Sequence, residues 1–151
     1  MKRVLITGAN GQLGKCLRDA SERFVAFECT FVSKEQLDIC DAAKLSAYFK
    51  ENTFEYCINT AAYTHVEKAE SEMDEAFRIN ADGVKHLSEV CKQNKVILLH
   101  ISSDYVFDGK KDKPYREEDP TNPINVYGAS KLTGEQHIAE IMDAHYILRT
   151  S

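Results

Sequence analysis

Tyr127 and Lys131 stand four residues apart in the run Asn125-Val126-Tyr127-Gly128-Ala129-Ser130-Lys131. On a helix that spacing stacks both side chains on one face. An ammonium held beside a phenol favours the phenolate and lowers the phenol pKa from about 10 toward neutrality. A phenol so tuned gives a proton to a carbonyl oxygen, or takes one from an alcohol, near neutral pH. Chance supplies many Tyr-x-x-x-Lys pairs, most of them on surfaces, so the elements around this one must decide what it does.

The first of those elements is at the N-terminus. Val4-Leu5-Ile6 is a continuous apolar run, as a buried parallel strand requires, and Thr7-Gly8-Ala9-Asn10-Gly11-Gln12-Leu13-Gly14 follows it. Leu13 and Leu17 begin a helical pattern. Strand, glycine turn and helix together are the context of a dinucleotide-binding turn. Its glycines let the backbone approach a pyrophosphate at the helix N-terminus, where free N–H groups and the helix dipole favour negative charge. The spacing is G-x-x-G-x-x-G rather than the usual G-x-G-x-x-G.

Residues 24–32 read as a second strand. Ser33-Lys34 follows it, where an acid for the ribose 2′-hydroxyl is often found. No acid stands there. Lys34 either pairs with a 2′-phosphate, which favours NADP, or is a solvated loop lysine. Asp38, in Leu37-Asp38-Ile39, either reaches the adenine or caps a helix over residues 41–50. Tyr56-Cys57-Ile58-Asn59 reads as a buried strand running into Thr60-Ala61-Ala62-Tyr63-Thr64. Small residues at a strand's carboxyl end allow a flat ligand to come close, and ligands of open α/β sheets bind at that end. A plain strand-to-loop transition reads the same way.

A single helix is expected over residues 71–94, opened by a capping box at Ser71-Glu72-Met73-Asp74. Asn80 falls on its apolar stripe, either bonding a nearby loop or ordering groups beneath Lys131. Residues 96–101 form the most hydrophobic strand, with Ser102-Ser103-Asp104-Tyr105 at its carboxyl end. A hydroxyl there is able to hydrogen-bond a substrate carbonyl, although strand-end serines usually cap or turn. A charged loop over residues 109–121 precedes the Tyr127 helix, and residues 145–149 form a last strand.

Composition narrows the setting. The 151 residues are one domain's worth, 43% hydrophobic and 28% charged, with net charge −5. The acidic balance argues against nucleic acid as a partner. Five scattered cysteines without C-x-x-C spacing suit reduced thiols in a cytoplasm, and the dispersed histidines offer no metal site. No apolar run is long enough for a transmembrane span.

Taken together, Thr-Gly-x-x-Gly-x-x-Gly, Arg78-Ile79-Asn80, Ser102-Ser103-Asp104-Tyr105-Val106-Phe107-Asp108-Gly109 and the Tyr127–Lys131 pair resemble the extended short-chain dehydrogenase/reductase family. Ala61-Ala62-Tyr63-Thr64 with Val66-Glu67-Lys68-Ala69-Glu70 adds to the likeness, which covers nearly the whole chain. The resemblance implies a doubly wound parallel α/β sheet of Rossmann type, helices on both faces, strand order near 3-2-1-4-5-6. It implies an oxidoreductase that reduces the 4-keto group of dTDP-4-dehydro-L-rhamnose with NADPH or NADH. Tyr127 would be the proton donor, Lys131 the lysine that anchors the cofactor, Ser103 the carbonyl-binding hydroxyl and Asn80 a supporting residue. Gly8, Asn10, Gly11, Gln12, Leu13, Gly14, Lys34, Asp38, Ile39, Ala61, Ala62, Tyr63 and Thr64 would line the cofactor, and Ser103, Asp104 and Tyr105 the nucleotide sugar. A homodimer and a magnesium requirement fit the family, without ligands placed here. A substrate domain beyond residue 151 is expected. A related epimerase or dehydratase is the first rival, although dehydratases carry Asp-Glu where Asp104-Tyr105 stands. A dinucleotide-binding regulatory subunit is the second.

Overall fold

A computed structural model describes residues 1–151. Five strands, β1 (Lys2–Thr7), β2 (Phe27–Val32), β3 (Tyr56–Asn59), β4 (Ile97–Ser103) and β5 (His145–Thr150), form one parallel sheet in the order β2-β1-β3-β4-β5. The helices are α1 (Gln12–Ser21), α2 (Ala42–Glu51), α3 (Met73–Phe77), α4 (Val84–Gln93) and α5 (Val126–Ile141). This is the doubly wound α/β class. The chain leaves β1 outward to β2, then crosses back to β3 on the other side, so a switch point opens between β1 and β3 at their carboxyl ends.

The strand order differs from the expected 3-2-1-4-5-6. β2 is an edge, because residues 33–41 run as turns from Val32 to Ala42. A crossover to a further parallel strand takes roughly a dozen or more residues. That segment is too short to hold one.

The two faces of the sheet are unequal. Alternate residues point to opposite faces, so Leu5, Cys57 and Leu98, aligned in register, share one face. They join Leu45 and Phe49 of α2, Val84, Leu87 and Cys91 of α4, and Ile138 of α5 in one buried cluster. Only α1 covers the other face, where Arg18 lies 4.8 Å over the Phe31 ring. Val4 and Ile6 are buried beneath it. Toward β5 that face is bare, and Tyr146 and Leu148 are 62% and 51% exposed.

The expected helix of residues 71–94 runs continuously from Met73 to Gln93, but not as plain α-helix throughout. A 3₁₀ turn (Lys68–Glu70), α3, a π-helical stretch (Arg78–Gly83) and α4 succeed one another. Ser71 caps nothing downstream; its hydroxyl donates to Lys68 O, so the expected capping box is absent. The π stretch carries Asn80 and lets α5 come close: a Cβ on Gly134 would stand 2.2 Å from Asn80 O.

Candidate active site

The cleft at the carboxyl ends of β1, β3 and β4 has a volume of about 800 Å³. Its floor begins at the glycine turn. Gly8 has φ +70°, a conformation that side chains with a Cβ resist, and a Cβ there would stand 2.6 Å from Ala61 N. The turn ends at Gly11, the residue before α1, which makes no side-chain cap. The first N–H groups of this ten-residue helix therefore open unpaired on the cleft beside Gln12 and Leu13. An uncapped helix end whose Gly11 and Gly8 leave room for close approach suits a pyrophosphate. Gly14 lies behind the turn rather than in the cleft, and a Cβ there would meet Gly8 O at 2.4 Å.

The reacting groups enter from the other side. Asn125 starts α5, its side-chain oxygen accepting from Gly128 N at 2.7 Å. A Cβ on Gly128 would stand 2.2 Å from Tyr105 O, so the helix sits against the turn that follows β4. Tyr127, Lys131 and Ser103 all line the cleft. The Tyr105 ring meets the Tyr127 ring edge-on, centroids 5.5 Å apart. Ser103 Oγ accepts from Tyr105 N at 3.1 Å and donates to Asp104 at 3.3 Å.

The electrostatics differ from the reading by spacing. Burial raises the Tyr127 phenol above its ordinary value, and the Ser103 hydroxyl acts in the opposite direction. Lys131 does not lower it; its ammonium donates to Ile101 O at 2.7 Å. Lys131 is itself 2% exposed, and burial lowers its pKa to about 8, with Glu135 acting the other way.

Beneath the cleft runs a buried polar row that sequence reading missed. Thr7 Oγ1 donates to Asn59 Oδ1 at 2.6 Å, and Ala61 N donates to the same oxygen at 3.2 Å. A backbone N–H can only donate, so Asn59 Nδ2 must be the donor to His100 Nδ1 at 3.0 Å. His100 is therefore the Nε2–H tautomer, and burial, with Lys131 near, holds its pKa well below the ordinary value. The row ties the end of β1, the Ala61 loop and the strand beneath Lys131 into one unit. Its bonded partners are up to 52 residues apart, so periodicity carries no trace of it.

Asn80 belongs to the loop, not to the lysine. Its carbonyl accepts from Tyr63 N at 2.9 Å, and its amide donates to Tyr63 O and Ser130 Oγ, each at 3.0 Å. Both amide donors are used, and Asn80 holds the 61–64 loop against α5, the first of the two roles open to it from the sequence. Tyr63 faces Asn80 and Glu72 rather than the cleft. Asp104 is exposed and outside the cleft lining, while Tyr105 is within it. Asp38 caps no helix: one carboxylate oxygen accepts from Cys40 N, and Asp41 caps α2 through Lys44 N. Asn10, Gly11, Lys34, Asp38, Ile39, Ala61, Ala62 and Thr64 do line the cleft. No group of three or more His, Cys, Asp or Glu is arranged to hold a metal, and no helix is long and apolar enough to cross a membrane.

A family model described as the RmlD substrate binding domain matches residues 1–151. The chain belongs to this family. It is 42% identical over 149 residues to a dTDP-4-dehydrorhamnose reductase of Sinorhizobium fredii, covering 99% of this chain and 50% of that one. A solved dTDP-4-dehydrorhamnose reductase of Bacillus anthracis, in complex with NADP, is 40% identical and superposes with TM-score 0.95 over 100% of this chain and 54% of that one. A UDP-glucose 4-epimerase of Brucella ovis, 21% identical with TM-score 0.88 over 99% of this chain and 51% of that one, shares the fold. The chain spans about half the length of the curated relatives it matches.

Proposed function

We propose that this chain is the dinucleotide-binding half of a cytoplasmic oxidoreductase that reduces the 4-keto group of dTDP-4-dehydro-L-rhamnose. The observation that carries the reading is convergence. Tyr127, Lys131 and Ser103 line the same cleft as the uncapped N-terminus of α1. That places proton-handling groups beside a seat for a dinucleotide. The RmlD family, and reductases 36–42% identical over nearly the whole chain, support the choice of sugar. The NADP complex of the Bacillus anthracis relative and Lys34 in the cleft favour NADPH over NADH.

The cofactor, when bound, supplies the hydride. The residues of this chain do the rest. The N–H groups of Gln12 and Leu13 would hold the pyrophosphate, with Ala61 and Ala62 lining the same cleft. Ser103 donates a hydrogen bond to the substrate's carbonyl oxygen. Tyr127 gives that oxygen its proton as negative charge develops. Its raised pKa keeps it protonated at neutral pH, as a proton donor requires. Lys131, whose ammonium is held on the Ile101 carbonyl, would anchor the cofactor from the same wall of the cleft.

The test is turnover of the full-length protein with NADPH and the keto sugar, followed by loss of nicotinamide absorbance. Cofactor binding without turnover would favour the regulatory-subunit alternative.

A further inference from the structure

Two opposite charges lie buried one helical turn apart on α5 without pairing. Lys131 is 2% exposed and Glu135 4%. Residues four apart on a helix are neighbours, and buried charges ordinarily seek each other. Instead the Lys131 ammonium donates to Ile101 O at 2.7 Å. Glu135 is held from β5: Arg149 Nε donates to Oε1 at 3.0 Å and Nη2 to Oε2 at 2.7 Å. Arg149 is anchored in turn. Its Nη1 donates to Glu117 O at 3.3 Å, and its guanidinium lies 5.0 Å over the Phe107 ring.

Helical side chains lean toward the N-terminus, so Glu135 lies over the turn that carries Lys131. A carboxylate left unpaired in that interior would draw the ammonium one turn along. That movement would take Lys131 away from Ile101 O and from Tyr127. We propose that Arg149 is a positioning residue for Lys131: by saturating the Glu135 carboxylate it keeps the lysine on the Ile101 carbonyl, beside the proton donor. The inference deepens the reductase reading and rests on it.

The charged and titratable groups facing Lys131 are few. Glu135 faces it from α5 and His100 from β4, and Tyr127, four residues earlier on α5, lines the same cleft. His100 is uncharged, so Glu135 is the group that sets the field.

The experiment measures turnover against pH in the full-length protein with NADPH and the keto sugar. It compares wild type, Arg149→Met, Glu135→Gln and the double variant. Arg149→Met should lose about tenfold or more in turnover, as displaced catalytic groups do. Its alkaline limb should move to higher pH, because the freed carboxylate favours the ammonium. Adding Glu135→Gln should restore most of the turnover, which repair of a merely structural contact by a second lesion would not do. Glu135→Gln alone should move the alkaline limb to lower pH.

Undiminished turnover in Arg149→Met, or a double variant no better than the single, overturns the proposal. If Arg149→Met fails to fold, an unmoved limb in Glu135→Gln overturns it instead. A wild type without turnover defeats the reductase reading separately. The Lys131 Nζ resonance, titrated by ¹⁵N NMR in wild type and Glu135→Gln, then still decides the contact: a lower midpoint in the variant supports it and an unchanged one overturns it.

Discussion

At the scale of single residues, the roles proposed for Tyr127 and Lys131 differ, so their variants should fail differently. Tyr127→Phe keeps the ring and its contact with Tyr105 but removes the proton. Turnover in the full-length protein should fall by about 10²–10⁴, with NADPH affinity little changed. Near-normal turnover would remove Tyr127 from the mechanism. Lys131→Met should lose turnover and cofactor affinity together, and it should also change stability. Burial holds the folded pKa of Lys131 at about 8, below the 10.5 of a free lysine. Below pH 8 the folded state therefore carries the full penalty of a buried charge, and the penalty fades as pH rises toward 10.5. At neutral pH the methionine variant should be more stable by up to about 3 kcal/mol, the lost bond to Ile101 O reducing the gain. Urea unfolding at pH 7 and pH 10 checks this; a gain that does not shrink with pH contradicts the assignment. The glycine turn separates in the same way. A Cβ on Gly11 would meet only Gly8 O, at 3.3 Å, whereas one on Gly14 would meet it at 2.4 Å. Gly11→Ala should fold normally and bind NADPH more weakly, while Gly14→Ala should lower the melting temperature. Equal effects of the two on folding, by circular dichroism, would contradict this.

At the scale of elements, the site depends on how α5 is started and held. Asn125→Ala removes the cap on Gly128 N and should cost about 1 kcal/mol in denaturant unfolding. A loss indistinguishable from zero would show that Glu70, which accepts from Val126 N at 2.8 Å, starts the helix by itself. The elements were largely legible in the sequence, because apolar runs and glycine turns are local signals. The π stretch inside the 71–94 helix escapes the sequence for a physical reason. The apolar stripe of the helix continues through the π stretch, and the extra backbone width there answers Gly134, more than fifty positions away. Tyr127 and Lys131 stand out by spacing and Ser103 by the family resemblance, and all three line one cleft. Asn59, His100, Glu135 and Arg149 do not stand out, because each is defined by a partner on another element. Asn125 could have been found, since an Asn just before a helical run is a cap signal in its own right.

At the scale of the whole molecule, the sheet is finished on one side only. α2, α4 and α5 bury one face, while the β5 end of the other shows Tyr146 and Leu148 to solvent, and β5 is an open edge. Exposed apolar strands with unpaired N–H and C=O groups promote association. The 151-residue chain should therefore self-associate with rising concentration in sedimentation velocity, and Leu148→Lys should suppress this. A monomer at all concentrations would show that the bare face is harmless. The close contacts of α5 have a further consequence, for chain length rather than side chains. Gly128 abuts Tyr105 O and Gly134 abuts Asn80 O, so the helix is fastened at two points to different segments. Each inserted residue turns a helix by about 100°. An insertion or deletion between the two glycines would keep one seat and lose the other, and would rotate Lys131 out of the cleft. That interval is closed to length variation during evolution.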